Sequence, residues 1–190
     1  FAVKLNRELT HEVDEGSVRD VARRFREALE PMVEAGRLGA VLAQFPQSFR
    51  ETVASRRYLS DLRAHFGGLP FVVEFRNRAW QKQDVFDFLA VRKMGYCCVD
   101  LPRIRGLPDR RAVFTAEPAY VRLHSRNARN WYAGEKLRYD YLYSEEELRE
   151  WVGKVRELAR RARRVFVFFN NCYAASAAKN ALQFRMLLGG

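Results

Sequence analysis

The chain has 190 residues, with 34 Lys+Arg against 23 Asp+Glu and a formal net charge of +11. With 48% hydrophobic and 13% aromatic residues the composition is globular, which excludes a disordered chain and suits one domain, residues 1–190, with a sizeable core. No apolar run approaches the ~18 residues of a membrane helix, so no membrane partner is expected. Cys97, Cys98 and Cys172 fit neither a disulfide framework nor a metal-binding spacing, which points to a reducing, cytoplasmic compartment.

Two periodicities alternate along the chain. A first apolar, β-rich run covers Phe1–Leu5. Ser17 then reads as an N-cap, and Val18, Val21, Ala22, Phe25, Ala28 and Leu29 form a stripe at the helical period. A strand at Leu38–Phe45 precedes a helix from about Phe49 to His65 that ends near Gly67 and Gly68. Further strands are expected at Pro70–Phe75 and Tyr96–Leu101, with a helix over about Gln83–Lys93 between them. The segment from Asp100 to Tyr120 carries Pro102, Pro108 and Pro118 and reads as loop. After a strand at Tyr120–His124, Ser144 and Glu147 have the spacing of a capping box, opening a helix that continues to about Ala162. The last strand, Val165–Phe169, is followed by a helix over Ser176–Leu188.

Near-continuous apolar strands separated by helices predict a parallel sheet covered on both faces. A doubly wound open sheet and a (β/α)8 barrel compete for this pattern. The strand starts recur about every 33 residues, so two further units would give roughly 255 residues, close to the usual barrel size of ~250. The chain opens on Phe inside a strand, and no GxGxxG or GxxxxGK[ST] follows any strand. The expectation is therefore a TIM-barrel-like α/β fold with about six of eight βα units present. Its uncovered strand edges would need the missing N-terminal segment or another chain beside them.

In such a barrel, chemistry resides at the C-terminal ends of the strands. Those ends here carry Lys4, Gln44, Glu74 with Arg76, Asp100, Arg122 with His124 and Arg126, and Asn170 with Asn171. Trp131 and Tyr132 follow close behind the fifth strand. Strand alternation puts Glu74 and Arg76 on one side, and likewise Arg122, His124 and, if the extended conformation persists, Arg126. A carboxylate beside arginines stays ionised and orients the guanidinium groups toward a planar anion. His124 between arginines should be neutral and able to act as a base. The competing interpretation is a buried Glu74–Arg122 ion pair that only closes the barrel.

Glu74, Asp100 and His124 also have the ligand chemistry for Zn, Mn or Mg. With three His in the chain and Arg at the same positions, a divalent metal is left open but not favoured, and no cofactor is identified. The basic excess is largely Arg, 28 against 6 Lys, and much of it falls at helical spacing, as at Arg19, Arg23 and Arg26, where a solvated face accounts for it. The Arg160–Arg164 cluster suits a helix C-terminus.

Several strings together carry a resemblance. Leu42–Phe49 (LAQFPQSF), Val73–Trp80 (VEFRNRAW), Tyr120–Arg126 (YVRLHSR) with Trp131 and Tyr132, and Val167–Asn171 (VFFNN) with Asn180 and Ala181 resemble the DUF72 (YecE-like) family, as does the opening Phe1–Lys4 with Thr10 and His11. Two departures stand out. Ser125 occupies a position usually held by Gly, and Cys172-Tyr173-Ala174-Ala175 replaces a His- and Gly-containing turn. The resemblance implies a TIM-barrel-like fold whose first two strands are absent from this sequence, and it implies no established activity. The residues themselves support a barrel that binds, and as a finer reading hydrolyses, an anionic phosphate-bearing substrate. In that reading Glu74, Asp100 and His124 serve as catalytic groups, and Lys4, Gln44, Arg76, Arg122, Arg126, Trp131, Tyr132, Asn170 and Asn171 bind the substrate. The alternatives are a non-catalytic nucleic-acid-binding barrel and a scaffold whose polar ring is structural.

Overall fold

A computed structural model of the chain describes residues 1–14 and 16–190. The six apolar runs form six strands: β1 (Ala2–Lys4), β2 (Ala40–Gln44), β3 (Phe71–Glu74), β4 (Met94–Asp100), β5 (Ala119–Leu123) and β6 (Val165–Phe169). Each pairs in parallel with the next in sequence, giving the order β1-β2-β3-β4-β5-β6. This is the topology that successive right-handed crossovers produce. A cavity of about 250 Å³ is walled by Ala2 and Lys4 of β1 together with Tyr120, Phe168 and Asn170 from the far side of the sheet. The two edges therefore face one another, and the sheet is curled into an open, TIM-barrel-like α/β arrangement.

Curling gives the strands two distinct faces. Ala40, Leu42, Val72, Cys97, Val99 and Tyr120 point inward and pack with Leu107 and Trp131. Their neighbours, among them Val41, Ala43, Val73, Cys98 and Val121, face outward into the larger core beneath the helices. Cys97 and Cys98 thus divide between the two layers. Gly95 occupies an inward position near the bottom of the sheet, where a Cβ would meet the carbonyl oxygens of Pro118 and Ala116 at 3.1 and 3.4 Å.

The outer layer is built by α1 (Val18–Glu34), α2 (Val53–His65), α3 (Gln83–Val91), the short α4 (Glu135–Arg138), α5 (Glu145–Ala159) and α6 (Ser176–Leu188). Helix α1 begins at Val18, directly after Ser17 as expected, but the cap itself and the start of α2 differ from the sequence expectation. Ser17 does not cap α1: it is already helical in backbone conformation, and its hydroxyl donates to the Asp14 carbonyl at 3.0 Å. Helix α2 begins at Val53 rather than Phe49, because the Thr52 hydroxyl accepts the Ser55 amide and caps it there. Phe49 instead joins an aromatic stack with Phe45 and Trp80, which in turn lies parallel to Phe75 at 4.2 Å. The Trp80 indole N–H donates to the Phe49 carbonyl at 2.8 Å. This stack clamps the ends of β2 and β3 from behind and so fixes the segments that carry Gln44, Glu74 and Arg76.

The capping box of α5 is complete: Ser144 accepts from the Glu147 amide, and the Glu147 carboxylate accepts from the Ser144 amide. The helix ends at Ala159, short of Ala162. Between β4 and β5 no regular helix forms. The chain instead runs along β4, where Thr115 Oγ1 donates to the Met94 carbonyl at 2.7 Å and accepts from the Tyr96 amide at 2.8 Å.

Candidate functional site

The inward parity of β3 and β5 brings Glu74 and Arg122 together across the mouth of the sheet. Glu74 is fully buried, and both its oxygens are occupied. Oε1 accepts from Arg76 Nε at 2.7 Å and from His124 Nε2 at 3.1 Å; Oε2 accepts from Arg122 Nη1 at 2.6 Å, with Cys97 Sγ at 3.8 Å. Burial alone would raise the Glu74 pKa, but Arg122, Arg76 and His124 together outweigh it and hold the carboxyl well below its usual range.

His124 is equally buried. Desolvation, then the charge of Arg76, push its pKa down to about 3, so the ring is neutral at pH 7. An ionised Glu74 can only accept, so the ring proton sits on Nε2 and Nδ1 keeps a lone pair; Arg76 Nη2 lies 3.3 Å from Nδ1 and 3.2 Å from Nε2. Burial also opposes the charge of Arg122, yet Glu74 raises its pKa on balance. Asn170 Oδ1 takes Arg122 Nε at 3.2 Å. Two guanidinium groups are thus held by one carboxylate from below. Among the described residues, Arg76 Nη1 and Arg122 Nη2 have no protein acceptor.

Above them opens a cleft of about 500 Å³, lined by Lys4, Arg7, His11, Gln44, Pro46, Gln47, Arg76, Arg122, Trp131, Tyr132, Arg138, Tyr139 and Asn170 among others. Five cations ring it; the Glu74 carboxylate lies beneath its floor, and Glu12 pairs with Arg7 at 2.9 Å. Trp131 is buried with Arg76 and Arg138 over its ring at 5.8 and 5.1 Å, which fixes both guanidinium planes. Burial and the neighbouring Arg122 lower the Lys4 pKa, as expected for a cation among cations. Tyr132 stands exposed at the rim, its hydroxyl donating to Gln47 Oε1 at 3.2 Å.

Three predicted site residues lie elsewhere. Asp100 ends β4 with outward parity, beneath α5, where it accepts from Trp151 Nε1 at 2.6 Å, Tyr143 Oη at 3.1 Å and Arg126 Nη2 at 2.8 Å. Arg126 does not continue the β5 alternation. The strand ends at Leu123, and the chain turns so that Arg126 bridges Asp100 and Glu150 of α5. Asn171 is buried behind the mouth, donating to the Tyr141 carbonyl and to Asn180 Oδ1. The Glu74–Asp100–His124 ligand set is therefore not assembled, since Asp100 sits on the other face. Among the described residues no group of three or more His, Cys, Asp or Glu side chains could hold a metal ion.

Lys4, Gln44, Arg76, Arg122, Trp131, Tyr132 and Asn170 all line the cleft, with Glu74 and His124 beneath it. Sequence reasoning passed over Arg7, His11, Gln47, Arg138 and Tyr139. Arg7 and His11 follow β1 directly and could have been chosen from that position. Arg138 and Tyr139 are in or next to a four-residue helix that has no periodic signal.

A curled parallel sheet with an arginine-rich cleft at its C-terminal end defines a TIM-barrel-like α/β protein with its candidate site at the barrel mouth. The chain belongs to the DUF72 family, described as "Protein of unknown function DUF72", whose profile matches residues 1–190. It is similar to the UPF0759 protein YunF of Bacillus subtilis (strain 168), with 31% identity over 179 residues. That match takes in 86% of this chain, and the chain spans 62% of the length of that relative. The crystal structure of a DUF72 family protein from Thermotoga maritima superposes over the whole chain with a TM-score of 0.93 at 38% identity, using 74% of that protein. One from Enterococcus faecalis V583 superposes with 0.90 at 28% identity, again over all of this chain and 74% of the other. Among the described residues no helix is long and apolar enough to cross a membrane.

Proposed function

We propose that the mouth of the sheet binds a small anionic, phosphate-bearing ligand. The observation that carries this reading is the ring of Lys4, Arg7, Arg76, Arg122 and Arg138 around one cleft, two of them held by the enclosed Glu74 carboxylate. Planar guanidinium groups fixed from below offer their remaining N–H groups to an oxyanion at little further ordering cost. Glu74 and His124 are themselves enclosed and saturated, so they act as positioning groups; a hydrolytic step, if the ligand is a substrate, falls to groups on the cleft wall. The three free cysteines fit a reducing, cytoplasmic setting for this activity.

A nucleic-acid ligand is the second reading, favoured by a neighbouring cleft that shares Leu107 with the mouth and carries Arg78, Arg103, Arg105, Arg110 and Lys154. Titration of sulfate, phosphate and an oligonucleotide into the protein separates the readings. Arg122→Ala should weaken phosphate binding by about 2–3 kcal/mol, the worth of a charge-assisted hydrogen bond. Arg138→Ala, at the rim and outside the Glu74 cluster, should weaken it without disturbing the fold. Arg161→Ala, on the surface beyond α5, should leave phosphate binding unchanged and flatten the salt slope of an oligonucleotide only. Unchanged phosphate binding in both Arg122→Ala and Arg138→Ala would leave the polar ring as scaffold.

A further inference from the structure

The cleft holds acceptors as well as donors, and their chemistry narrows the ligand. Thr10 Oγ1 donates its one proton to the Asn6 carbonyl at 3.1 Å. The same proton can serve His11 Nδ1, 2.8 Å away, instead; with it on the carbonyl, the ring donates its Nδ1–H to Oγ1. In that arrangement the neutral imidazole is the Nδ1–H tautomer with its lone pair on Nε2, on a ring that lines the cleft. Gln44 lies in the same wall. Its Nε2 donates to the Phe45 carbonyl at 3.0 Å, which commits the amide orientation and leaves Oε1 as an acceptor. Among the described residues neither His11 Nε2 nor Gln44 Oε1 has a protein partner.

A fully ionised phosphate or carboxylate has no use for either atom, because it only accepts. A hydroxyl group on the same ligand does. Building on the anion-site reading above, we propose that the mouth recognises a hydroxylated phosphate, a sugar phosphate by chemical class, whose phosphate group meets the arginines and whose hydroxyl donates to His11 Nε2, with Gln44 Oε1 as a second acceptor. The cations around His11 reinforce this arrangement. Burial, then Lys4 and Arg7, lower the His11 pKa, so the lone pair stays available at pH 7. The exposed Tyr132 and the neighbouring Tyr139 both line the cleft and bring aromatic rings of the kind that pack against a sugar ring.

The test compares two probes that share a phosphomonoester and differ in hydroxyl groups, methyl phosphate and ribose 5-phosphate, by titration calorimetry with the parent protein and His11→Phe. The parent should bind ribose 5-phosphate about tenfold more tightly, the worth of one or two hydrogen bonds. His11→Phe should lose most of that preference, read as the ratio of the two affinities within each protein. Equal affinities of the parent for the two probes would overturn this proposal and leave the anion site standing. Failure of both probes to bind would overturn the two together. Independently of any variant, ¹⁵N spectra of the parent should show His11 protonated on Nδ1; a proton on Nε2 would overturn the proposal.

Discussion

Acid should destabilise this protein well before its carboxylates titrate, and His124 is the reason. In the unfolded chain a histidine takes up a proton near pH 6.5. In the folded protein His124 is enclosed beside Arg76, and its pKa is held at about 3. Between those values the unfolded state binds one more proton than the folded state, so stability falls as pH falls, by roughly 1.4 kcal/mol per pH unit. The loss is about 2 kcal/mol at pH 5 and approaches ~5 kcal/mol near pH 3, a large share of an ordinary domain's stability. Glu74 acts in the same direction at lower pH. Its folded pKa is depressed, so the stability it supplies is present above about 4.5 and is lost as pH drops through the folded value. His11 adds a smaller effect of the same sign, which makes a site-specific probe necessary. Urea unfolding at pH 7.5, 6 and 5 gives the slope, and proton NMR follows the three histidines individually. The His124 ring resonances should stay unshifted from pH 8 to 4.5. A His124 that titrates near 6.5 in the folded protein, or a stability that is flat from pH 7 to 5, would refute the enclosed, neutral imidazole.

Other perturbations separate the two polar clusters. Arg126→Ala strips the closest cation from the buried Asp100 and should cost about 3–5 kcal/mol in urea unfolding, while phosphate affinity at the mouth holds at the parent value. Ser144→Ala removes the α5 capping box and should lower stability by about 1 kcal/mol, read from the same unfolding curves. Among the described residues β1 pairs only with β2 and β6 only with β5, and we expect these 190 residues to self-associate through those edges unless another segment or chain covers them. Sedimentation velocity over a hundredfold concentration range checks this, and a monomer throughout would count against it.

The fold was legible because parallel strands covered on both faces leave long apolar runs, which mark Val165–Phe169 to the residue and the other strands within one or two positions. Helix starts were less so. Ser17 and Thr52 are both eligible caps, and only tertiary packing decides that Thr52 acts while Ser17 turns back to Asp14. The cleft was legible in part, since Lys4, Gln44, Arg122 and Asn170 stand at strand ends and carry a clear inward parity. Arg138 and Tyr139 reach the cleft from a long connection, where no period predicts position.

Asp100 shows why the same parity argument fails at one strand. At the end of β3 and just beyond it, the polar residues Glu74 and Arg76 alternate with the apolar Val73 and Phe75, so the sequence itself marks the inner face. In β4 the run Met94–Val99 is buried on both sides, and alternation carries no information about which face any residue occupies. The register settles it. Val73 pairs with Tyr96, so the inward neighbour of Glu74 is Cys97, and Asp100 three residues on must face out. There it needs buried donors to offset its lost hydration, and α5 and the segment before it supply them through Trp151 and Tyr143. Arg126 follows for the same reason. A carboxylate accepting those bonds on the outer face draws the cation out of the mouth, and it leaves Arg76 and Arg122 as the pair Glu74 can hold. The protein thus keeps two buried carboxylates, each with its own arginines, on opposite faces of one sheet. Glu74 lies beneath an open cleft, whereas Asp100 is covered by a helix, and that difference in access makes the first a candidate binding site and the second a support.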